Sequence, residues 1–280
     1  MSGFAISDET IVKVERSNRW PLPSFKEIWQ YRELCYFLAW RDIRVRYKQT
    51  ALGAAWAVIQ PFMTMVVFSL FFGQLAKIPS EGVPYPIFAY TALVPWSYFQ
   101  NALTQISNSM VLGRDLIGKV YFPRILIPVA ALLSGLLDFG ISFAVLLVLM
   151  LYYGIVPTPN VLFLPILLLF AIITSLGVGL WLATLNVMYR DVAFIAPFLV
   201  QVWLFATPIA YPSSLVPARW RIWYGINPMT GVVEGFRSAM LGTGTISLLT
   251  FVVSGIISVL LLVTGLIYFK HYERTFADRI

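Results

Sequence analysis

An uncharged apolar segment at residues 53–75 closely follows a segment dense in basic residues at 41–48. A helix of about 20 apolar residues is long enough to cross the ~30 Å hydrocarbon core of a bilayer. Lys and Arg concentrate near the cytoplasmic ends of such helices. The junction therefore predicts a membrane-spanning helix that begins at the cytoplasmic face.

The overall composition is typical of an integral membrane protein. Of 280 residues, 59% are hydrophobic and 12% are charged, about half the charged fraction of a soluble domain. The net charge of +7 fits cytoplasmic basic loops better than nucleic-acid binding, because no basic stretch is interleaved with base-stacking aromatics. The single cysteine, Cys35, excludes an intrachain disulfide and a cysteine-based metal cluster. The N-terminal residues lack the apolar core of a cleavable signal peptide.

Charged residues divide the chain into six apolar segments, which predict an all-α membrane protein with six spans. These cover residues 53–75, 85–110, 125–152, 161–187, 192–211 and 247–269. An even number of spans places both termini on one side. If that side is cytoplasmic, sixteen of the twenty Lys and Arg residues lie in cytoplasmic segments, which predicts this orientation.

The remaining segments complete the predicted organisation. A cytoplasmic tail covers residues 1–23, an interface segment 24–48, the membrane domain 49–270 and a second cytoplasmic tail 271–280. The outer segment 212–246 is too long for a turn and too apolar for a solvated loop. We expect it to form re-entrant half-helices, because irregular backbone at membrane depth is tolerated where protein or water surrounds it.

Residues 24–48 predict an amphipathic helix that leads into the basic run. Ser24 and Glu27 have the spacing of a capping box. Apolar residues then recur on one side of a 3.6-residue period: Phe25, Ile28, Trp29, Cys35, Tyr36, Ala39 and Trp40. Few residues precede the first span, so we expect this helix to lie in the headgroup layer rather than on a cytoplasmic domain.

No arrangement of residues indicates catalysis. The lone histidine, His271, follows the last span and is expected to be an ordinary interfacial residue. The chain has no P-loop sequence for nucleotide phosphates. Gly177-Val178-Gly179 lacks the third glycine of a dinucleotide fingerprint and indicates close helix packing. We therefore predict no enzyme activity, no metal site and no cofactor in this chain.

Asp138 lies within the third predicted span. Ionisable residues inside a membrane are often functional. Two hypotheses stay open: a role in transport or gating, or a buried carboxylate hydrogen-bonded to a neighbouring helix or subunit. Proton-coupled carriers usually need more than one such group together with broken helices.

The second and fifth predicted spans are rich in aromatic residues. Such residues commonly sit at the lipid interface, but their apolar faces can also stack on sugar rings and line a glycan path. Both explanations stay open for seven residues: Tyr90, Trp96, Tyr98, Phe99, Trp203, Phe205 and Tyr211.

The segment 112–124 between the second and third spans is charged at both ends and apolar in the middle. This pattern predicts a short cytoplasmic helix that docks into a groove on another protein. A membrane protein without its own nucleotide site would use such a helix to couple mechanically to another chain.

Several short motifs occur in order from about residue 25 to the end. They are residues 40–56 followed by Gln60-Pro61, residues 93–96, 119–124 and 186–191, and residues 227–229 with 234–237. In their order and spacing they resemble the ABC-2 type permeases that export lipid-linked polysaccharides, namely O-antigen, capsule and teichoic acid.

The resemblance implies a homodimer of six-span permeases in a bacterial inner membrane, bound to two ATPase subunits that would hold ATP and Mg²⁺. It implies outward movement of a polyprenyl-pyrophosphate-linked polysaccharide, an O-antigen first, through a channel at the dimer interface. Residues 24–40 would be the interface helix and 114–122 a coupling helix. Its contacts to the ATPase would be Arg114, Asp115, Leu116, Ile117 and Lys119.

The resemblance also suggests a second role for the basic run. Its positive side chains could attract the anionic pyrophosphate head of the substrate, or they could serve only to anchor the cytoplasmic end of the first span. The residues concerned are Arg41, Arg44, Arg46 and Lys48.

Three other functions compete with this one. An ABC-2 permease could instead carry a simple lipid or a drug, although the aromatic spans and the long outer segment favour a glycan. A membrane-embedded glycosyltransferase would need clustered acids or histidines at one membrane face, which the sequence lacks. A proton-coupled carrier would use Asp138 as its proton site.

Overall fold

The computed structural model describes residues 25–48, 55–119, 122–243 and 248–276. Within these ranges every regular element is a helix, which confirms the predicted all-α class. We number the α-helices in chain order: α1 Phe25–Gln30, α2 Arg32–Lys48, α3 Ala55–Phe68, α4 Tyr85–Leu112, α5 Arg114–Ile117, α6 Leu126–Tyr153, α7 Leu164–Met188, α8 Val192–Ala206, α9 Ala218–Gly225, α10 Pro228–Leu241 and α11 Leu248–Tyr272. A π-helical segment, Ser69–Leu75, continues α3, and a 3₁₀ turn, Pro159–Phe163, precedes α7.

Four helical segments in the described ranges are long and apolar enough to cross a membrane, judged by length and composition. They are Ala55–Leu75, Leu126–Tyr153, Pro159–Met188 and Leu248–Thr275. These segments coincide with the first, third, fourth and sixth predicted spans. Residues 53, 54 and 247 of those predictions lie outside the described residues.

The second and fifth predicted spans have a different character. Helix α4 is 28 residues long but carries several polar side chains. These are tolerated because α4 lies at the centre of the bundle, against α6 and α7. Helix α8 has 15 residues and ends at Ala206, short of the predicted end at Tyr211. The reason is local: Thr207 precedes Pro208, and a residue before proline is pushed towards extended backbone.

Close packing between α7 and α11 depends on glycine. A Cβ at Gly177 would lie 2.6 Å from the backbone of Leu261, and a Cβ at Gly265 would meet the carbonyl oxygen of Gly177. Gly179 is similarly pressed against Ile106 of α4. The structure thus confirms that Gly177 and Gly179 allow helices to approach closely.

The N-terminal segment is two helices rather than one, with a break at Tyr31, and α2 continues through the basic run to Lys48. Helix α2 packs along α6 and buries small side chains, among them Cys35 and Ala39. The large aromatics Tyr36 and Trp40, expected on the same side, are 64% and 42% exposed. The expected single apolar side is therefore divided between protein contact and exposed surface, and the capping residue Ser24 lies outside the described residues.

The segment between α8 and α11, predicted to lie outside, contains the two helices α9 and α10. Every residue of α10 except Ser238 is buried, because this helix packs against α4, α7 and α11. Asn227 caps its start by accepting a hydrogen bond from the Met229 N–H at 3.1 Å. Protein therefore surrounds α10, whereas Trp220 and Trp223 of α9 are 52% and 64% exposed.

Candidate functional site

A partly buried polar cluster joins α2, α4 and α6. Arg46 forms an ion pair with Asp138, donates to the side-chain oxygen of Gln105, and lies 3.2 Å from the hydroxyl oxygen of Ser134. Tyr47 donates to the other carboxylate oxygen of Asp138. We call these five residues the Arg46–Asp138 cluster. It ties the end of α2 to the helical bundle.

Local geometry explains why these side chains meet. Ser134 and Asp138 are four positions apart on α6 and so share one face of that helix. Arg46 and Tyr47 belong to the last turn of α2, which runs beside this face. The ion-paired side chains of Arg46 and Asp138 are only 29% and 11% exposed. Removing either partner would leave the other charge poorly compensated.

The cluster brings together Arg46 and Asp138, for which the sequence predicted separate roles. Asp138 carries an arginine on one oxygen and a tyrosine hydroxyl on the other, which matches the hypothesis of a carboxylate bonded to a neighbouring helix. Burial, and then the hydrogen bond to Asp138, raise the pKa of Tyr47, so its hydroxyl remains a donor well above neutral pH. A role for Asp138 in gating stays a prediction.

The basic run of α2 divides between two faces. Arg41, Arg44 and Lys48 are spaced three and four positions apart, which places them on one side of the helix, and all three are exposed. Arg41 pairs with its neighbour Asp42 at 2.9 Å. Arg46 turns the other way, towards α6. Three of the four predicted headgroup-binding residues therefore share an accessible surface, while the fourth is committed to Asp138.

The predicted coupling segment contains a helix of four residues, α5, not the nine residues 114–122. Gly118, a poor helix former, follows the helix directly. Pro123 disfavours helical backbone at the residue that precedes it. Val120 and Tyr121 lie outside the described residues. The helix therefore ends at Ile117, and Gly118 and Lys119 form a turn.

The residues proposed for coupling fall into two groups. The charged side chains of Arg114 and Asp115 are 66% and 86% exposed, and Lys119 is also exposed. Ile117 is buried and Leu116 half-buried, so they hold the helix against the bundle. A short helix anchored by its apolar side presents its charges outward.

Arg124, just before α6, is fastened to the 3₁₀ turn that follows α11. The guanidinium of Arg124 donates to the backbone carbonyl of Glu273, and the Arg124 backbone N–H lies 3.2 Å from the Glu273 carboxylate. Glu273 also pairs with Lys270 at 2.6 Å. These contacts connect the start of α6 with the last described turn of the chain.

A sequence model of the family described as "ABC-2 type transporter" matches residues 33–241, a range that holds the Arg46–Asp138 cluster, α5 and α10. The chain belongs to the ABC-2 type transporter family. The match covers well over half of the sequence.

Curated relatives of this ABC-2 protein are permeases of polysaccharide export. An "O-antigen export system permease protein RfbA" of Myxococcus xanthus is 31% identical over 76% of this chain and 82% of the relative. A protein of the same name from Klebsiella pneumoniae is 27% identical over 85% of this chain and 91% of the relative. The "Polysialic acid transport protein KpsM" of Escherichia coli is 26% identical over 72% of this chain and 78% of the relative.

The aromatic residues proposed to line a glycan path occupy different environments in this ABC-2 permease. Four of them are buried, with 2% exposure or less: Tyr90, Trp96, Tyr98 and Phe99. The rings of Phe99 and Trp203 pack with centroids 5.0 Å apart, and Phe205 is 55% exposed. Tyr211 is half-buried and bonded to Tyr224. A path along the four α4 residues would need another arrangement of the helices, so this role stays a prediction.

A second charge, almost fully buried, lies on α10 of the permease. Arg237 of α10 is 1% exposed and donates to the carbonyl oxygens of Pro208 and Ile209, each at 2.5 Å. The carbonyl of Tyr211 is a longer contact at 3.4 Å. The guanidinium carbon also lies 3.7 Å from the ring centroid of Phe88. Arg237 therefore holds the irregular backbone that follows α8.

Two further residues complete this outer site. Glu234 lies 3.4 Å from Arg237 and accepts a hydrogen bond from Ser213 at 2.7 Å. Asn227 accepts from the indole N–H of Trp203 and donates to the hydroxyl of Thr207, both at 2.9 Å. The end of α8 and the start of α10 are thus joined by side chains.

Six residues of these sites were not predicted as site residues: Tyr47, Gln105, Ser134, Asn227, Glu234 and Arg237. Gln105 and Ser134 are polar residues in apolar spans, where polar side chains need partners within the protein. Their polarity could have identified them as candidate site residues. Tyr47 was missed because its segment was interpreted from its basic residues alone. Arg237 was counted with the outer charges, although its i,i+3 spacing from Glu234 indicates a pair on one helix face.

Proposed function

We propose that this chain is the membrane subunit of an ATP-driven exporter of a lipid-linked polysaccharide, an O-antigen in the first place. The family match, together with alignment to O-antigen permeases over 76% and 85% of the chain, carries the proposal. The lower identity of 26% to a polysialic acid transporter makes capsule the second candidate substrate. The chain itself acts in transport, and ATP and Mg²⁺ belong to a partner.

We further propose six membrane spans with both termini in the cytoplasm of a bacterium, in its inner membrane. Helix α4 supports this, since its 28 residues extend about 42 Å. Helix α8 is about 22 Å long and would cross with the help of residues 207–211. The buried α10 fits a re-entrant half-helix, because it is enclosed by protein.

The functional assembly would be a homodimer with two ATPase subunits. The exposed charges of Arg114 and Asp115, set on a helix anchored by Ile117, support α5 as the docking element. The exposed face of Arg41, Arg44 and Lys48 would attract the pyrophosphate of the substrate lipid at the inner leaflet. This attraction would not involve Arg46, whose guanidinium is bound to Asp138.

Deletion of the gene in the source bacterium tests the export function. We expect surface polysaccharide to disappear and lipid-linked polymer to accumulate inside the cell, and both effects to be reversed by the wild-type gene. Electrophoresis of surface lipopolysaccharide and extraction of polyprenyl-linked polymer measure the two pools. Normal surface polysaccharide in the deletion strain would contradict the proposal.

Affinity purification in mild detergent tests the partner. An ABC ATPase should be recovered with the wild-type permease, and its absence would argue against an ABC exporter. Replacing Arg114 and Asp115 with Ala should uncouple ATP hydrolysis from export while leaving membrane insertion intact. Loss of insertion would instead assign these residues a structural role.

A further inference from the structure

The start of α6 and the end of α11 are joined by two hydrogen bonds that run in opposite directions. The Arg124 guanidinium donates to the backbone carbonyl of Glu273, and the Glu273 carboxylate accepts from the Arg124 backbone N–H at 3.2 Å. We call this pair of bonds the Arg124–Glu273 junction. Lys270 also pairs with the carboxylate at 2.6 Å, but it belongs to α11 itself and adds no link to α6.

The electrostatics of helix ends favour both bonds of the junction. The N–H groups at the start of a helix carry a partial positive charge, and the carbonyls at its end carry a partial negative charge. Ile125, at the N-cap of α6, provides no side-chain cap, and the Glu273 carboxylate lies at this end. The Arg124 guanidinium lies where α11 passes into the 3₁₀ turn Glu273–Thr275. Each side chain therefore stabilises the helix end next to the other residue.

Apart from this junction, α6 and α11 pack mainly against different neighbours. Helix α6 contacts α2, α3 and α4, whereas α11 contacts α9 and α10, and both helices also pack against α7. The junction therefore connects two parts of the bundle that share few other contacts among the described residues.

Helix α5 is in contact with the first turn of α6, next to the junction. Gly113, which immediately precedes α5, lies so close to Ile127 that an added Cβ would be 3.1 Å from the Ile127 Cδ1 atom. The backbone N–H of Ile127 donates to the Arg124 carbonyl at 3.2 Å. Because packed side chains transmit displacements, a movement of α5 against the bundle would press on the turn that holds Arg124.

On the other side of the junction, α11 is fixed to α7 and to the turn that carries Glu273. An added Cβ at Gly265 would meet the Gly177 carbonyl oxygen, so the backbones of α11 and α7 are in direct contact. Phe276 is fully buried, and its ring packs on Phe269 of α11 with centroids 5.2 Å apart. A force on Glu273 would therefore act on α11 and α7 together.

We propose that the Arg124–Glu273 junction is a positioning element for ATPase coupling, which makes α11, and α7 with it, follow the movement of α5. The proposal rests on the proposed export function and extends the coupling role from α5 to the C-terminal end of the permease. Arg124 and Glu273 are positioning residues, because they act through the helices that they connect.

Arg124→Met and Glu273→Ala each remove one of the two bonds. In a permease–ATPase complex reconstituted with lipid-linked polysaccharide from the source bacterium, ATP hydrolysis should continue. Export per hydrolysed ATP should fall about threefold to tenfold, within the range of mutational effects on coupling. The double variant should lose more than either single variant. Glu273→Gln keeps an acceptor for the Arg124 N–H and should retain most of the coupling.

A matched control uses the residue beside Glu273. Arg274→Met makes the same chemical change as Arg124→Met at an exposed position, and it should leave export per hydrolysed ATP unchanged. A purely structural role for the junction would lower the Tm and the amount of permease in the membrane, but it would not change this ratio.

A spin label follows the movement of α11 without relying on export. In a Cys35→Ala background, a label at Leu260→Cys, 53% exposed on α11, should change its mobility when vanadate traps the ATPase. The Arg124→Met/Glu273→Ala double variant should lose this change. A label at Leu112→Cys, 81% exposed and close to α5, should respond in both proteins.

Two results would overturn this role of the junction. One is wild-type export per hydrolysed ATP in the double variant. The other is a vanadate response at Leu260→Cys that the double variant retains or that the wild-type complex lacks. If the double variant does not fold, the single variants decide in the same way. A wild-type permease that binds no ATPase would instead reject the proposed function.

Discussion

Arg46 is partly and Arg237 almost fully withdrawn from water, and their charges are compensated in different ways. Arg46 is bound to a carboxylate on another helix, 92 positions away in the sequence. Arg237 lies 3.4 Å from Glu234, a carboxylate on its own helix, and its shortest contacts, at 2.5 Å, are to backbone carbonyls. The first site joins two helices through side chains, and the second holds a stretch of irregular backbone.

This difference indicates which contacts can change during transport. The carbonyls of Pro208 and Ile209 follow the end of α8 and have no helical partner, so Arg237 is needed to satisfy them in any folded state. The Arg46–Asp138 pair can separate without unfolding α2 or α6, because each helix keeps its own backbone hydrogen bonds. We therefore interpret Arg237 as part of a fixed frame, and Arg46 as a separable connection between α2 and the bundle.

The largest effect is expected from Arg237→Met. It leaves several buried carbonyls and Glu234 without their donor, so the free energy of unfolding in detergent should fall by about 3–5 kcal/mol. Thermal unfolding of the purified permease measures this change. Arg190→Met makes the same chemical change at an exposed position and should have little effect. If both variants lost the same free energy of unfolding, Arg237 would be no more important for the fold than an exposed arginine.

Asp138→Asn should have the next largest effect, about 2–3 kcal/mol, because it leaves the charge of Arg46 with weaker partners. A double-mutant cycle with Arg46→Gln isolates the pair, and the double variant should lose less stability than the sum of the two single variants, by up to about 3 kcal/mol. Strict additivity would mean that the two charges do not interact.

The same Asp138→Asn variant separates two functions. If Asp138 is a connecting residue, export should fall only in proportion to the amount of folded permease. Export that stops while folded permease remains abundant would support a proton-coupled carrier instead. Surface polysaccharide, normalised to permease extracted from the membrane, gives this comparison.

Glu234→Gln should cost less than Asp138→Asn, about 1–2 kcal/mol. The Arg237 charge is held mainly by carbonyl dipoles and by the face of Phe88, and glutamine keeps an acceptor for Ser213. Denaturation of both variants in one detergent tests the order. A larger loss for Glu234→Gln would show that the carboxylate, not the backbone, compensates Arg237.

The smallest change is expected from Tyr47→Phe, which removes one of the donors to Asp138 and leaves the ion pair in place. The loss should be about 1 kcal/mol. When combined with Asp138→Asn the effect of Tyr47→Phe should shrink, because its charged acceptor is gone. An undiminished effect in the double variant would mean that Tyr47 stabilises α2 by packing alone.

The prediction of helices from the sequence succeeded where the signal is local. Long apolar segments require helices, since backbone groups in lipid must be satisfied within the segment, and the described helices follow the predicted spans closely. The errors occur at proline and glycine: α8 ends before Pro208, and α5 stops at Gly118. The backbone preferences of proline and glycine explain both helix ends. They are easy to miss when a segment is judged by its hydrophobicity alone.

The prediction of the site was less complete, because burial and partners depend on which helices become neighbours. Arg41, Arg44, Arg46 and Lys48 look equivalent in the sequence, yet only Arg46 turns towards α6. Tyr36 and Trp40 were expected on the same side as Cys35, but α2 packs through Cys35, Leu38 and Ala39 and leaves these aromatics exposed.

The sequence by itself determined the class of protein, the approximate positions of its helices and its likeness to polysaccharide permeases, because hydrophobicity, charge and short motifs are properties of contiguous residues. Only the tertiary structure decided that Asp138 has a counterion, that Arg237 binds the backbone after α8, and that Arg124 and Glu273 join α6 to α11. Each of these facts depends on contacts between residues far apart in the chain, where the low dielectric of the interior gives an individual partner its large effect.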